Sequence, residues 1–272
     1  MADTAATKPV KLPFWRTLSE AYGAVFGNLG TLLSLAGKWI VLLLPLYAVY
    51  NWLIHPQFLA LARAVSSGLP PPSDGGMTTI MGALFWLIIL IPLSAVAVGW
   101  HRFLLRNEKP GTATGVRLND IVKQYAIAAL IIGLIGQVPT VLQQLTAGWT
   151  GDGATAIQII AFVGIWVALA ISSRLSVALP AIAIAGPGSK FGEAWNASRR
   201  NTFRLLFGML LSLLPMIAFS FLLFFLVGIL PDRLSFALVG SVLGVITLLL
   251  LTVGVSFWSF AWRHFQEHPQ TA

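Results

Sequence analysis

The sequence predicts an all-α polytopic transmembrane bundle, with about six spans in three hairpins and an N-terminal interfacial amphipathic helix. Three observations carry that prediction. Of the 272 residues, 57% are hydrophobic and only 10% charged, and the mean hydropathy is +0.83. A soluble domain carries roughly 25% charged residues, so a chain this apolar needs lipid as its solvent. The apolar residues fall into six runs, each near the roughly 20 residues that one crossing requires. Finally, the basic residues crowd into alternate connecting segments, as the positive-inside rule expects.

The elements follow in order. Residues 1–13 are polar, carry two prolines and predict a disordered tail. No apolar core stands behind their charges, so they do not read as a cleavable signal. Phe14 to Phe26 reads as an amphipathic helix. Phe14, Leu18, Ala21, Tyr22 and Val25 share one face, with Arg16, Thr17, Ser19 and Glu20 on the other. Such a helix beside a span is expected to lie in the headgroup layer. The spans are then Thr31–Leu53, Thr79–Gly99, Ile121–Leu145, Ala154–Ala178, Phe203–Leu230 and Leu234–Phe260. GLPPPSDGG, at residues 68–76, forbids regular structure between the first two. GWTGDG and Pro231-Asp232-Arg233 close the other two hairpins. The chain is thus one membrane domain over residues 14–262, with cytoplasmic tails at 1–13 and 263–272.

Fourteen Lys and Arg residues fall on the side of the N-terminus, and only Arg63 and Arg233 on the other. The fourteen include Arg102, Arg106 and Lys109 after span two, and Arg174, Arg199, Arg200 and Arg204 around the loop after span four. That split predicts both termini inside and an even number of spans. It also accounts for the net charge of +8 and the pI of 10.3 without invoking nucleic acid. There are no cysteines, which excludes disulfides, thiol catalysis and Cys-ligated metals.

Glu20-Ala21-Tyr22, Asn28 and span one are echoed by Glu193-Ala194-Trp195, Asn201 and span five, with Glu leading Asn by eight residues each time. A true repeat would set a short interfacial helix against each hairpin. Coincidence within a biased composition is the alternative. Ser173 to Ala183, SRLSVALPAIA, a short glycine loop, then Glu193-Ala194-Trp195 and Arg199-Arg200-Asn201 precede a long apolar run. This stretch resembles a broad bacterial group of six-span inner-membrane proteins, related to the membrane domain that accompanies some glycerophosphodiester phosphodiesterases. The resemblance implies the fold and a bacterial inner-membrane location. The soluble phosphodiesterase domain has no counterpart here, so that activity does not carry over.

Few residues point to chemistry. His264-x-x-Glu267-His268 has the spacing of an inverted zinc-peptidase motif, but it lies beside Pro269 with no further ligand in view, and it reads as chance. Trp100-His101-Arg102-Phe103 and Trp262-Arg263-His264-Phe265 end spans two and six. They are either paired lipid-headgroup sites or an aromatic and basic belt. Lys38 lies some ten residues into span one, about 15 Å deep. Arg174 precedes twelve uncharged residues, Leu175 to Gly186. Each either snorkels to the interface or holds an anionic lipid or substrate. For Arg174, either Pro180 kinks the helix and the segment after it lies along the membrane surface, or the guanidinium sits within the bilayer, with Glu193, Asp120 or a lipid phosphate as partner. All nine acidic residues lie outside the spans, which weighs against a proton- or sodium-coupled carrier. Gln137, Gln143, Gln144 and Gln158 could line a polar path or bond between helices. Gly240-x-x-x-Gly244 favours close helix approach, and Asn196-Ala197-Ser198 is a sequon without meaning in an inside loop.

The expected role is therefore a non-enzymatic inner-membrane protein without cofactor or metal, interacting with anionic headgroups or scaffolding an envelope complex with a membrane-protein partner. Lys38, Trp100, Arg102, Arg174, Trp195, Arg199 and Arg200 are the expected lipid or anion contacts. The alternative is a channel or uncoupled transporter, with its pathway near Lys38, Arg174 and the span-three glutamines.

Overall fold

The computed structural model describes residues 11–68, 77–109, 119–146, 152–185, 191–230 and 232–268. All regular structure among them is helical, in chain order α1 Phe14–Gly27, α2 Leu29–Ser67, α3 Met77–Arg106, α4 Asp120–Thr146, α5 Asp152–Leu175, α6 Ala178–Ala185, α7 Phe191–Ala197, α8 Thr202–Ser212, α9 Leu214–Ile229 and α10 Arg233–Glu267. Six helical stretches are long and apolar enough to cross a membrane, so the chain is a polytopic membrane protein. The loop at 69–76, most of GWTGDG and Pro231 lie outside the described residues.

Helix α10 is the central element, packing on α1, α2, α3, α6, α8 and α9, while α4 and α5 form a flanking hairpin. Its glycines explain the closest of these contacts. A Cβ on Gly240 would lie 2.9 Å from Asn51 Nδ2, and one on Gly244 would lie 2.5 Å from Tyr47. The GxxxG pair therefore seats α10 on α2 within one chain.

Two spans are broken where proline removes a backbone donor. Pro215 cannot bond the carbonyl four residues back, and the helix breaks at Leu213 between α8 and α9. Pro180 likewise leaves the Ser176 carbonyl without its helical partner, and the Leu179 N–H takes it in a tighter turn at 3.1 Å. The chain turns at Ser176–Val177, and α6 then packs on α3, α4 and α10. The kink foreseen at Pro180 is present, but the segment after it is buried in protein rather than laid on the membrane surface.

Several boundaries move. Span one continues through Pro56 to Ser67, making α2 39 residues long, roughly 58 Å against a 30 Å hydrocarbon layer. The helix-forming run Phe58–Ala64 carries it past the proline. Span six runs to Glu267, so residues 263–267 are helix rather than tail. At the other terminus, Lys11–Pro13 are ordered and Leu12 is completely buried; residues 1–10 lie outside the described residues.

The main core gathers Leu18, Ala21, Leu32, Trp100, Val177, Leu205 and Phe257 at one end of the bundle. There the N-terminal segment, the α7–α8 junction and the end of α10 meet, so the basic segments gather at that end. Helix α1 forms as expected, but its apolar face is spent on α10 and α8 rather than on lipid. Thr17, expected on the polar face, is buried with it, its hydroxyl donating to the Pro13 carbonyl at 3.1 Å.

Candidate functional site

The basic end is built from two copies of one local device. Asn28 links α1 to α2 and Asn201 links α7 to α8, in similar conformations (φ −130°, ψ 35° and φ −113°, ψ 9°). The carbonyl of each accepts the first turn of the span, from Leu32 N at 3.0 Å and Leu205 N at 2.9 Å. Both leucines are buried, as are Ala21 and Ala194 of the two short helices. The repeat is therefore one of structure as well as letters.

These junctions are tied across the chain. Leu12 N donates to Asn201 Oδ1 at 2.9 Å, and Arg204 donates to the Leu12 carbonyl. Tyr22 Oη donates at 2.8 Å to the carbonyl of Leu211, the one that Pro215 leaves without its helical donor. Burial raises the Tyr22 hydroxyl above its ordinary range, so it stays a donor. The α1 segment thus satisfies a backbone group that a lipid-embedded kink would otherwise strand.

Beneath lies a buried polar line. His101 Nδ1 is 2.7 Å from Ser259 Oγ, and its Nε2 is 3.1 Å from Tyr125 Oη. Ser259 Oγ itself donates to the Val255 carbonyl at 3.0 Å. The consistent assignment is a neutral imidazole that donates from Nδ1 to Ser259 and accepts from Tyr125. Trp100 Nε1 donates to Ser256 Oγ at 2.7 Å. Ser259 and His101 are completely buried, so the pair ties α3, α4 and α10 together and offers no exposed nucleophile.

The expected contact residues separate into groups. Trp100 is completely buried, which removes it as a headgroup anchor and corrects the paired-site reading of Trp100-His101-Arg102-Phe103. Arg102 is half-buried and held bidentately by Glu108, at 2.8 and 3.2 Å. Among the described residues Arg174 pairs with no carboxylate, and its guanidinium is engaged rather than free at the surface. Its guanidinium lies 3.5 Å from the Trp195 ring centroid and donates to the Trp195 carbonyl and, at 3.2 Å, to Ser198 Oγ. Arg174 and Trp195 thus form one stack between α5 and α7. Lys38, Arg199 and Arg200 are exposed. Gln137 and Gln158 also face outward, so with Lys38 they line no common path among the described residues; the Gln144 side chain lies outside them.

Sequence reasoning missed the aromatic residues that do face out at this end. Trp15 is 72% exposed and Phe203 75%, and Phe26 and Phe207 are exposed as well. Each of the first two lies within four residues of exposed arginines, Arg16 or Arg199 and Arg200. That proximity was legible in the letters.

A cavity of about 240 Å³ opens between α1 and the last turns of α10. Glu20 spans its wall, accepting from Arg16 Nε at 2.8 Å and from Arg263 Nη2 at 3.4 Å. The Glu20 contact raises the Arg16 guanidinium above its ordinary value. Glu193, the counterpart of Glu20 in the repeat, lines a smaller cleft with Trp262 and Gln266 on another side of α10. His264 and His268 border the larger cavity, but His268 Nδ1 is engaged at 3.1 Å with the His264 carbonyl. Among the described residues no three His, Asp or Glu side chains gather to hold a metal ion. No protein-family model, curated protein or solved structure matches this chain.

Proposed function

We propose that this chain is a non-enzymatic protein of the bacterial inner membrane, with both termini cytoplasmic, that binds anionic lipid headgroups at its basic end and scaffolds a membrane complex there. One observation carries the reading: exposed aromatics next to exposed arginines on α1 and at the α7–α8 junction, Trp15 with Arg16 and Phe203 with Arg199 and Arg200. Aromatic rings settle at the bilayer interface, and each basic side chain near an anionic surface contributes about 1 kcal/mol of attraction. Hydrogen bonds from Leu12 to Asn201 and from Arg204 to Leu12 tie the two segments that carry these groups. The resemblance of residues 173–201 to six-span inner-membrane proteins agrees with the location. The channel reading finds less support, since Lys38, Gln137 and Gln158 lie on the outside and Arg174 is engaged by Trp195 and Ser198.

The test uses the full chain in phosphatidylcholine nanodiscs doped with phosphatidylglycerol, with retained lipids counted by native mass spectrometry. Enrichment of phosphatidylglycerol is expected, and it should fall several-fold in the Arg199→Gln, Arg200→Gln double variant. Equal retention of both lipids by the parent chain would defeat the reading.

A further inference from the structure

We propose that the cleft between α1 and the end of α10 binds a zwitterionic phospho-amine, the phosphate on Arg16 and Arg263 and the ammonium on Glu267. The assignment rests on the lipid-binding reading above and names a second, chemically different site for it.

The charge arrangement selects the ligand. Glu20 is used by two arginines at once, one on each carboxylate oxygen. A guanidinium carries five N–H donors, so most donors of Arg16 and Arg263 are left over. Their planar forks suit the oxygens of a phosphate. The Arg263 guanidinium is also steadied 4.8 Å above the Phe260 ring. Two cations on one carboxylate leave an excess of positive charge on this wall of the cleft.

The cleft does not suit a simple anion, however. Glu267 borders the same space, near enough to Arg16 and His264 to act on their charge, and makes no hydrogen bond or ion pair among the described residues. A bare phosphate or phosphatidylglycerol meets its repulsion. A ligand with a primary ammonium beside its phosphate finds complementary charge at both ends. A choline headgroup brings the same charges, but its quaternary nitrogen has no N–H to donate, so it forfeits the hydrogen bond to Glu267. The cavity of about 240 Å³ is smaller than the roughly 300–1,000 Å³ of drug-sized sites and matches a compact headgroup. Trp15, on the same helix and exposed, brings the cleft to the level of the headgroups. The ligand is then phosphatidylethanolamine or free phosphoethanolamine.

The experiment again uses the full chain, in phosphatidylcholine nanodiscs doped with phosphatidylethanolamine or phosphatidylglycerol, at pH 8. Native mass spectrometry counts the retained lipid, with soluble phosphoethanolamine and inorganic phosphate as competitors. Phosphatidylethanolamine should be retained about tenfold over phosphatidylcholine, the worth of one charge-assisted hydrogen bond. Glu267→Gln, at an exposed side chain the fold does not use, should erase that preference, and Arg16→Gln should weaken it. Displacement by soluble phosphoethanolamine identifies the headgroup alone as the ligand, whereas resistance to it identifies the lipid. Retention equal to that of phosphatidylcholine, or a preference that survives Glu267→Gln, overturns the cleft assignment. If phosphatidylglycerol is still enriched through Arg199 and Arg200 in that case, only the cleft falls; if both are lost, the lipid-binding reading falls with it.

Discussion

The basic end and the hairpin end of this bundle hold together by different means. At the basic end, residues nearly 200 positions apart in sequence are joined by directed bonds, Leu12 to Asn201 and Tyr22 to Leu211, over a core that includes Trp100 and Phe257. At the hairpin end the faces of α4, α5 and α9 turn outward, with Leu134, Val138, Ile159, Val163 and Phe221 exposed. What joins α2 to α10 there is shape: Tyr47 on Gly244, Asn51 on Gly240 and His55 against Phe236. The Asn51 amide nitrogen and His55 Nε2 are buried without a hydrogen-bond partner among the described residues. Lipid tails are as apolar as leucine, so helices within the bilayer gain from close packing rather than from burial. Toward the aqueous boundary burial regains its worth and polar groups need partners. Each end uses the currency of its solvent.

Glycine replacement should give the largest contrast between the two ends. A Cβ on Gly208 would lie 2.0 Å from Phe257 Cζ, and that ring is completely buried in the main core. It has nowhere to move, so Gly208→Ala should cost about 3 kcal/mol or more. The Cβ of Gly244→Ala meets only the Tyr47 ring at 2.5 Å, and that partly exposed side chain can swing aside. Thermal unfolding in mild detergent should show the first variant losing several times more stability than the second. Equal losses would mean the ends are equally rigid.

Polar replacement should sharpen the contrast by changing its sign. His101→Phe strands the buried Tyr125 hydroxyl and should cost about 1–3 kcal/mol. Asn51→Leu, which keeps the branched shape and the number of heavy atoms, removes an amide nitrogen that has no partner among the described residues and should be neutral or stabilising. The same melting assay reads both variants. A destabilised Asn51→Leu would reveal that the hairpin end depends on polar bonding too.

The sequence disclosed the spans, α1 and the kink at Pro180 because each rests on a local property: hydropathy, periodicity or a missing N–H. The break before Pro215 was not foreseen, since a proline inside a span reads as tolerated. It misplaced Trp100 and Thr17 because burial there depends on which neighbour arrives. Trp100 reads as a belt residue until Ser256 is known to face it. A hint was present in the small residues of both helices, Ser94, Ala95, Ala97 and Gly99 of α3 and Gly254, Ser256 and Ser259 of α10, where Ser256 and Ser259 meet Trp100 and His101. Such stripes mark close helix contact rather than a lipid face. The partner of Arg174 was less accessible. Snorkelling, a carboxylate or a lipid phosphate were the expectations, yet the guanidinium took an aromatic face and a carbonyl, and charge counting cannot foresee either. Leu12 gave no signal at all: one leucine among prolines and lysines looks like tail.

The smallest expected effect tests how the basic end supports the proline break. Pro215 has no N–H for the Leu211 carbonyl, and Tyr22 Oη supplies the donor from α1. Tyr22→Phe keeps the ring and its packing but returns that carbonyl to an unpaired state, at about 1 kcal/mol. Pro215→Ala restores an N–H at the helical position, so Leu211 regains a donor from within its own span. If the hydroxyl serves the proline, the two sites are coupled: Tyr22→Phe should cost its full amount in the parent and close to nothing in the Pro215→Ala background. A double-mutant cycle of melting free energies reads that coupling directly. An undiminished cost in the Pro215→Ala background would show that Tyr22 contributes through other contacts, and that α1 clamps the bundle without mending the kink.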